Sequence, residues 1–600
     1  MLVIADDPAH RVDVEGLTEP PQPARVLGGD DVGSGQFVGQ PGSRITRIPD
    51  GRCREDKNSV TRLISHVAIL PRGFPRSVAY DGPVTRTDEL RERLLGTTPT
   101  DRVWGWVGPL FIAAIGGFLR FWHLDRPHSL VFDETYYVKQ GWSLIQHGVE
   151  MRVEGKNEDA DKLWNAGNVN VFSDQGDMVV HPPVGKWLIG AGEWLFGPQS
   201  SFGWRFAVAA LGTLSILIVG RVARRMFGST LLGCIAALLL AVEGTHFAMS
   251  RTGILDMIVS FFALAGFAAL VVDRDKSREK LARIVGGQAP GIPLRHGPWL
   301  GVRPWRWLAG LSLGLCLSTK WSGLFFLAVF GLMTVLWDMG ARRAVGVRPW
   351  VREGLFKDGP YAAVQLVVTS AVVYVASWSG WFASSNGYHR QWNTFHPGEG
   401  IQWLPAVLRN FVKYHQDMWD FNTTLSTPHS YSSNPWGWMI QARPTSFFYE
   451  GTKRGEGSCT VDSCSQAVHT IGTVSVWWVG IVALLVCAFY WVARRDWRAG
   501  AVLAGMLAGY APWFMYQHRT IYAFYSVAFE PWVILGLTFC AGLVLGGRSA
   551  TRERRRIGAI VVGGYLLVTI GLFAWFYPIY SAQVVPYSHW LRLMWFPSWI

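Results

Sequence analysis

Asp133 and Glu134 stand side by side in the segment FDETYY, immediately after the first long apolar run of the chain. Neighbouring residues on a helix point about 100° apart, so the two carboxyls can face different partners. One of them can take a proton from an incoming hydroxyl, the task of a general base. Acidic residues also suit the first turn of a helix on electrostatic grounds alone, and residue type does not separate the two readings. Downstream, His181 opens HPPVGKW, where two prolines before a periodic apolar stretch read as a helix start lying in the membrane interface. His181 is a candidate substrate contact or proton carrier, with a structural bond to backbone as the plainer reading. Lys186 adds a cation near the headgroup layer.

Four further cations sit singly at the edges of apolar runs: Arg205, Arg251, Lys320 and Arg519. Charges near bilayer depth are costly and tend to be paired or functional. Arg251 has Asp256 about a turn away as a partner and is set aside. Arg205, Lys186, Lys320 and Arg519 are the candidate ligands of a phosphate, for which Arg offers a two-pronged fork. Snorkelling to lipid headgroups explains any one of them but not the group as well. Farther on, PHSY and NPWGW supply His429 and Trp436, which suit a sugar or an extended peptide and equally a rigid aromatic cap.

These residues need elements to hold them. The 600 residues are 50% hydrophobic and 16% charged, with 31 Trp, and the apolar residues gather in long runs. Roughly eleven runs approach the ~20 residues that cross a bilayer. They lie near 104–122, 204–221, 229–246, 253–272, 305–319, 321–338, 361–378, 474–493, 500–516, 524–545 and 557–577. Basic residues recur in alternate connections, which with a cytoplasmic N-terminus satisfies the positive-inside rule throughout. Two long segments, 123–203 and 379–473, then face outward, and the candidate chemistry falls in or beside them. The expectation is an all-α polytopic protein of the cell membrane with an extracytoplasmic site.

The net charge of +13 is spread over short inside loops, with no basic stripe or zinc spacing for nucleic acid. No internal repeat marks a transporter. Nothing calls for a cofactor or a metal, although assistance by a divalent ion stays open. Cys459 and Cys464 lie close together in a polar loop where an oxidising compartment would allow a disulfide. Residues 1–100 read as a disordered cytoplasmic tail, with a short helix at 87–95, ahead of one membrane domain at 101–600.

FDETYY, HPPVGKW, WRFAVAALG, RTGILDM, STKWSG, PHSYSSNPWGW and QHRTIYAFYSVAFEP occur in one order, and from about residue 104 to the end the chain resembles the protein O-mannosyltransferases, in particular their actinobacterial branch. The resemblance implies a membrane glycosyltransferase of the GT-C type. The implied reaction moves mannose from polyprenyl-phosphate-mannose to Ser or Thr of exported proteins, with inversion at the sugar carbon. It places the catalytic base on Asp133, acceptor positioning on Glu134, and carrier-phosphate contact on Arg205 and Arg519. Segment 379–473 has no room for the β-trefoil module of the eukaryotic members. A GT-C enzyme acting on a lipid or cell-wall glycan is the alternative, and a lipid-linked sugar transporter a remoter one. Coupling to the secretion channel is expected if acceptors are used unfolded.

Overall fold

The structure is a computed structural model that describes residues 85–96, 99–288, 294, 296–547 and 549–600. Residues 1–84, most of the expected disordered tail, lie outside the described residues. The expected short helix is α1 (Arg86–Leu95), started by a reciprocal capping box between Thr85 and Asp88. It buries Leu94 against Leu281, Val285 and Ala341. This stretch therefore belongs to the packed domain, and the boundary expected at residue 101 moves upstream of it.

Among the described residues, seven helices are long and apolar enough to cross a membrane. They are α2 (Trp104–Phe121), α5 (Ser201–Phe227), α7 (Leu255–Gly286), α9 (Gly323–Ala344), α10 (Trp350–Ser377), α12 (Val474–Arg494) and α15 (Arg552–Tyr580). Between the first two lie α3 (Glu134–His147) and α4 (Val184–Phe196), and between α10 and α12 lies α11 (Ala406–Thr424). The other four apolar runs fold as shorter helices: α6 (Thr230–Ala241), α8 (Pro304–Leu317), α13 (Trp497–Gly509) and α14 (Glu530–Leu545). At 1.5 Å per residue these reach ~18–24 Å, less than the ~30 Å hydrocarbon core. The expected count of eleven full spans is not confirmed: seven helices among the described residues have spanning length.

Their shortness has a local cause. Each of the four breaks at the same end of the bundle: α6 before residues 242–254, which hold only the short helix Gly244–Met249 between turns, α8 before the turn at 318–322, and α13 and α14 on either side of the turns and 3₁₀ segments of 510–529. Irregular backbone at membrane depth is tolerated where it is buried in protein or lines a cavity. These three connections carry Arg251, Lys320 and Arg519. At the other end of the bundle, ~26 Å along α7 from Asp256, Arg303 and Arg306 each bridge Asp273 of α7 and Asp338 of α9. That closed set of two cations and two anions pins α7, α8 and α9 together.

The long loops are ordered. A hairpin-like pair, β1 (Met151–Val153) and β2 (Phe172–Gly176), stiffens the first. In the second, β3 (Ser446–Lys453) pairs with β4 (Ser463–His469), and β4 with β5 (Val584–Pro586) from beyond the last span. Cys459 and Cys464 form a disulfide at the tip of the β3–β4 hairpin. Trp378, Trp381, Tyr414 and Met418 make a small core under α11 together with Val149 and Met151. The two long loops therefore pack on each other.

Candidate active site

Asp133 sits at the entry to α3, and the chain reaches it through a strained turn. Phe132 has φ of +48°, a region costly for a bulky side chain. The compensation is aromatic packing. The Phe132 ring stacks on Phe447 at 4.8 Å between centroids and meets Phe524, Tyr522 and His429 edge-on. These partners come from the second long loop (Phe447 of β3 and His429) and from the 510–529 connection, so one ring ties both segments to the turn that aims Asp133.

The two adjacent acids do face different partners. Glu134 is fully buried and accepts from Arg205 Nε and Nη2, both at 2.8 Å. Its oxygens also take the N–H groups of Val131 and Gly253. Arg205 spends its remaining donors on the carbonyls of Leu124, Pro127 and Ser129. This is a correction for both residues. Glu134 has no oxygen left for an acceptor, and Arg205 has no donor turned toward a phosphate; together they staple the first loop to α5 and to the 251–254 turn.

Asp133, in contrast, makes no side-chain cap and has only a long 3.5 Å contact from the Tyr137 hydroxyl. It is half-buried. Burial raises its carboxyl from 3.8 to about 6, with Lys320 pulling down and Asp256 pushing up. A carboxylate so placed is ionised at neutral pH yet basic enough to accept a proton. Lys320 pairs with both oxygens of Asp256, at 2.9 and 3.0 Å, and its Nζ lies 4.3 Å from the centre of the Tyr525 ring. Asp256 thus partners Lys320, correcting the pairing expected with Arg251, whose guanidinium donates to the carbonyls of Arg120, Trp122 and His123.

Arg519 lies in the 510–529 connection, half-buried, and its buried Nε has no hydrogen-bond partner among the described residues. Its charge is felt at His181, Tyr522 and Tyr525. A buried guanidinium donor without a protein partner is what an anionic ligand would satisfy. His181 lies near Tyr137, with rings 6.1 Å apart. Burial first, then the charges of Lys320, Lys186 and Arg519, hold its imidazole far below the usual value, so it is neutral. It can hand on a hydrogen bond but does not serve as a cation.

Lys186 is not at the headgroup surface. It is fully buried, paired with Glu150 at 2.5 Å and donating to the His181 carbonyl. Its role is to hold His181 and the first loop, a further correction to the phosphate set. His429 meets Phe132 and Tyr522 edge-on and its Nδ1 receives the Tyr431 N–H. Trp436 is 72% exposed and its ring meets that of Phe514 edge-on. The structure therefore gathers Asp133, Lys320, Arg519, His181 and His429 and leaves Trp436 at the rim. Tyr137, Tyr522 and Tyr525 were not singled out as site residues from the sequence, although FDETYY and QHRTIYAFYSVAFEP carry them; Asp256 was read there only as a partner for Arg251. Among the described residues no three His, Cys, Asp or Glu side chains converge as a metal site would.

The chain matches the family model for dolichyl-phosphate-mannose-protein mannosyltransferase over residues 110–378 and that for the C-terminal four-helix membrane region of protein-O-mannosyltransferase over 407–599. It is 38% identical over 514 residues to the polyprenol-phosphate-mannose–protein mannosyltransferase of Mycolicibacterium smegmatis (strain MKD8), covering 84% of this chain and 94% of the relative. The Mycobacterium tuberculosis (strain H37Rv) relative is 35% identical over 516 residues, covering 84% and 93%. Among solved structures, the Saccharomyces cerevisiae Pmt1-Pmt2 complex bound to the sugar donor superposes with a TM-score of 0.63 at 15% identity, over 88% of this chain and 97% of that one. That likeness places the fold in the GT-C class.

Proposed function

Because this chain belongs to the protein mannosyltransferases, a family of multi-pass membrane glycosyltransferases, we propose that it transfers mannose from polyprenyl-phosphate-mannose to Ser or Thr hydroxyls of exported proteins, with Asp133 as the base. The observations that carry the reading are the weakly partnered Asp133 carboxylate, raised to about 6 beside Lys320 and Asp256, and Arg519, whose buried Nε lacks a partner among the described residues and whose charge reaches the same Tyr522 and Tyr525 that Asp133 acts on. The acceptor oxygen attacks the anomeric carbon from the face opposite the phosphate, the bond from that carbon to the phosphate oxygen breaks, and the configuration inverts. The hydroxyl proton goes to Asp133, and the polyprenyl phosphate leaves with the electron pair. A phosphate is already a good leaving group, so one base suffices, unlike the paired carboxyls of glycoside hydrolysis. Arg519 stabilises the charge gathering on the phosphate. Lys320 is held by Asp256 and acts chiefly on the ionisation of Asp133.

The same reading puts the protein in the plasma membrane with eleven crossings, its N-terminus cytoplasmic and the site outside, and acceptors delivered unfolded by the secretion channel. The short helices α6, α8, α13 and α14 then cross with their turns at the site. The test uses membranes, radiolabelled polyprenyl-phosphate-mannose and a Ser/Thr-rich peptide. Wild type labels the peptide and Asp133→Asn loses at least a hundredfold, in line with the loss of a general base. Undiminished transfer by Asp133→Asn refutes the base; wild-type label found on lipid or glycan instead of peptide refutes the acceptor.

A further inference from the structure

The outer three-stranded sheet has the order β3-β4-β5, so β3 is an edge strand. Its first turn-in residue, Phe447, stacks on Phe132, the residue next to Asp133. β3 therefore runs outward from the site like a rail. Antiparallel strands alternate bonded and non-bonded residue pairs, and the direction of each β3 residue follows from that alternation. β4 pairs with β5 as Cys464 with Pro586, Ser465 with Val585 and Gln466 with Val584. Pro586 has no N–H to give, so the doubly bonded pair is Ser465 with Val585. The backbone groups of Ser465 are then committed to β5. Its pairing with Gly451 on β3 is consequently a non-bonded one, and the N–H and C=O of Gly451 point away from β4. With the two-residue period of a strand, Tyr449 and Lys453 point the same way.

The Lys453 groups are satisfied locally: its N–H by the Glu456 carboxylate at 2.7 Å and its carbonyl by the Glu456 N–H. Those of Tyr449 and Gly451 have no strand partner among the described residues. Gly451 and Glu450 are exposed. A side chain at 451 would meet only the Tyr449 ring, at 3.8 Å or more, so another backbone can approach closely there. Open strand edges bind extended chains.

Building on the acceptor proposed above, we propose that the free edge of β3 at Tyr449 and Gly451 docks an extended segment of the acceptor protein by strand addition. Gly451 lies four residues from Phe447, ~13 Å at strand rise. The reacting hydroxyl therefore sits on the order of four residues along the acceptor from the residue paired with Gly451. Strand pairing reads backbone and not side chains, which fits a surface that accepts many sequences. It also requires an acceptor segment that is not already folded.

The test is an N-methyl scan of a Ser/Thr acceptor peptide with full-length enzyme in membranes. Methylating one peptide N–H at a time raises acceptor KM at every second residue, on the order of threefold to tenfold for each blocked bond, on one side of the reacting hydroxyl. A flat or non-alternating profile overturns the proposal while leaving the transfer reaction standing; no label on the parent peptide would instead overturn the reading it rests on. As a second measurement, Gly451→Pro removes the outward N–H where an edge tolerates proline. It raises acceptor KM and leaves donor KM unchanged. Unchanged acceptor KM, or a loss of self-association on native gels in place of the KM effect, assigns the edge to a second copy or to nothing and overturns the proposal.

Discussion

The pH dependence of transfer should follow the charges around Asp133. With its carboxyl at about 6, the ionised fraction falls from about 0.9 at pH 7 to about 0.1 at pH 5, so kcat/KM drops about tenfold over that interval. At the ordinary value of 3.8 the same interval would change the rate by less than about a tenth. The cause of the displacement can be tested by its neighbours. Burial is the largest contribution, and it persists in any variant that folds. Lys320 lowers the value and Asp256 raises it, so their removal works in opposite directions. Lys320→Met takes away the cation and leaves Asp256 unbalanced; the acid limb moves to higher pH and activity at pH 7 falls. Asp256→Asn moves the limb to lower pH. The double variant Lys320→Met/Asp256→Asn removes both charges and returns the limb to between the two. The assay is kcat/KM for peptide mannosylation from pH 4.5 to 8 in membranes, with retained chain in the membrane fraction as the measure of folding. A profile flat down to pH 5 in the wild type refutes the burial argument. Limbs that move together in both single variants refute the electrostatic one.

Glu134→Gln or Arg205→Met breaks a fully buried ion pair, and each should cost about 3–5 kcal/mol of stability, read as lost folded protein in detergent thermal unfolding. Donor KM rising in Arg205→Met with unfolding unchanged would restore Arg205 as a phosphate ligand. Arg519→Met keeps the volume but removes the orphaned donor, so donor KM should rise at least tenfold with stability unaltered. Unchanged donor KM removes Arg519 from the site.

What the sequence determined by itself was whatever depends on local pattern. Apolar runs separated by basic loops gave the membrane class, because a helix is the one way a short segment satisfies its own backbone in lipid. The adjacency of Asp133 and Glu134 already required that they diverge. The run at 87–95 was enough to place the short helix α1, whose cap at Thr85 came from the structure, and the closeness of Cys459 and Cys464 allowed their disulfide. Tertiary structure alone decided which acid is free. Glu134 is consumed because Arg205, 71 residues on, reaches it through a helix packing that no local rule encodes. For the same reason isolated cations could be listed but not sorted. Arg205 and Lys186 are neutralised by buried acids and Lys320 by Asp256; of these four candidate cations, Arg519 is the one with a buried donor left unpaired among the described residues. Partner choice among buried charges depends on distances of a few ångströms between segments far apart in the chain, and in a low-dielectric interior those distances decide the chemistry.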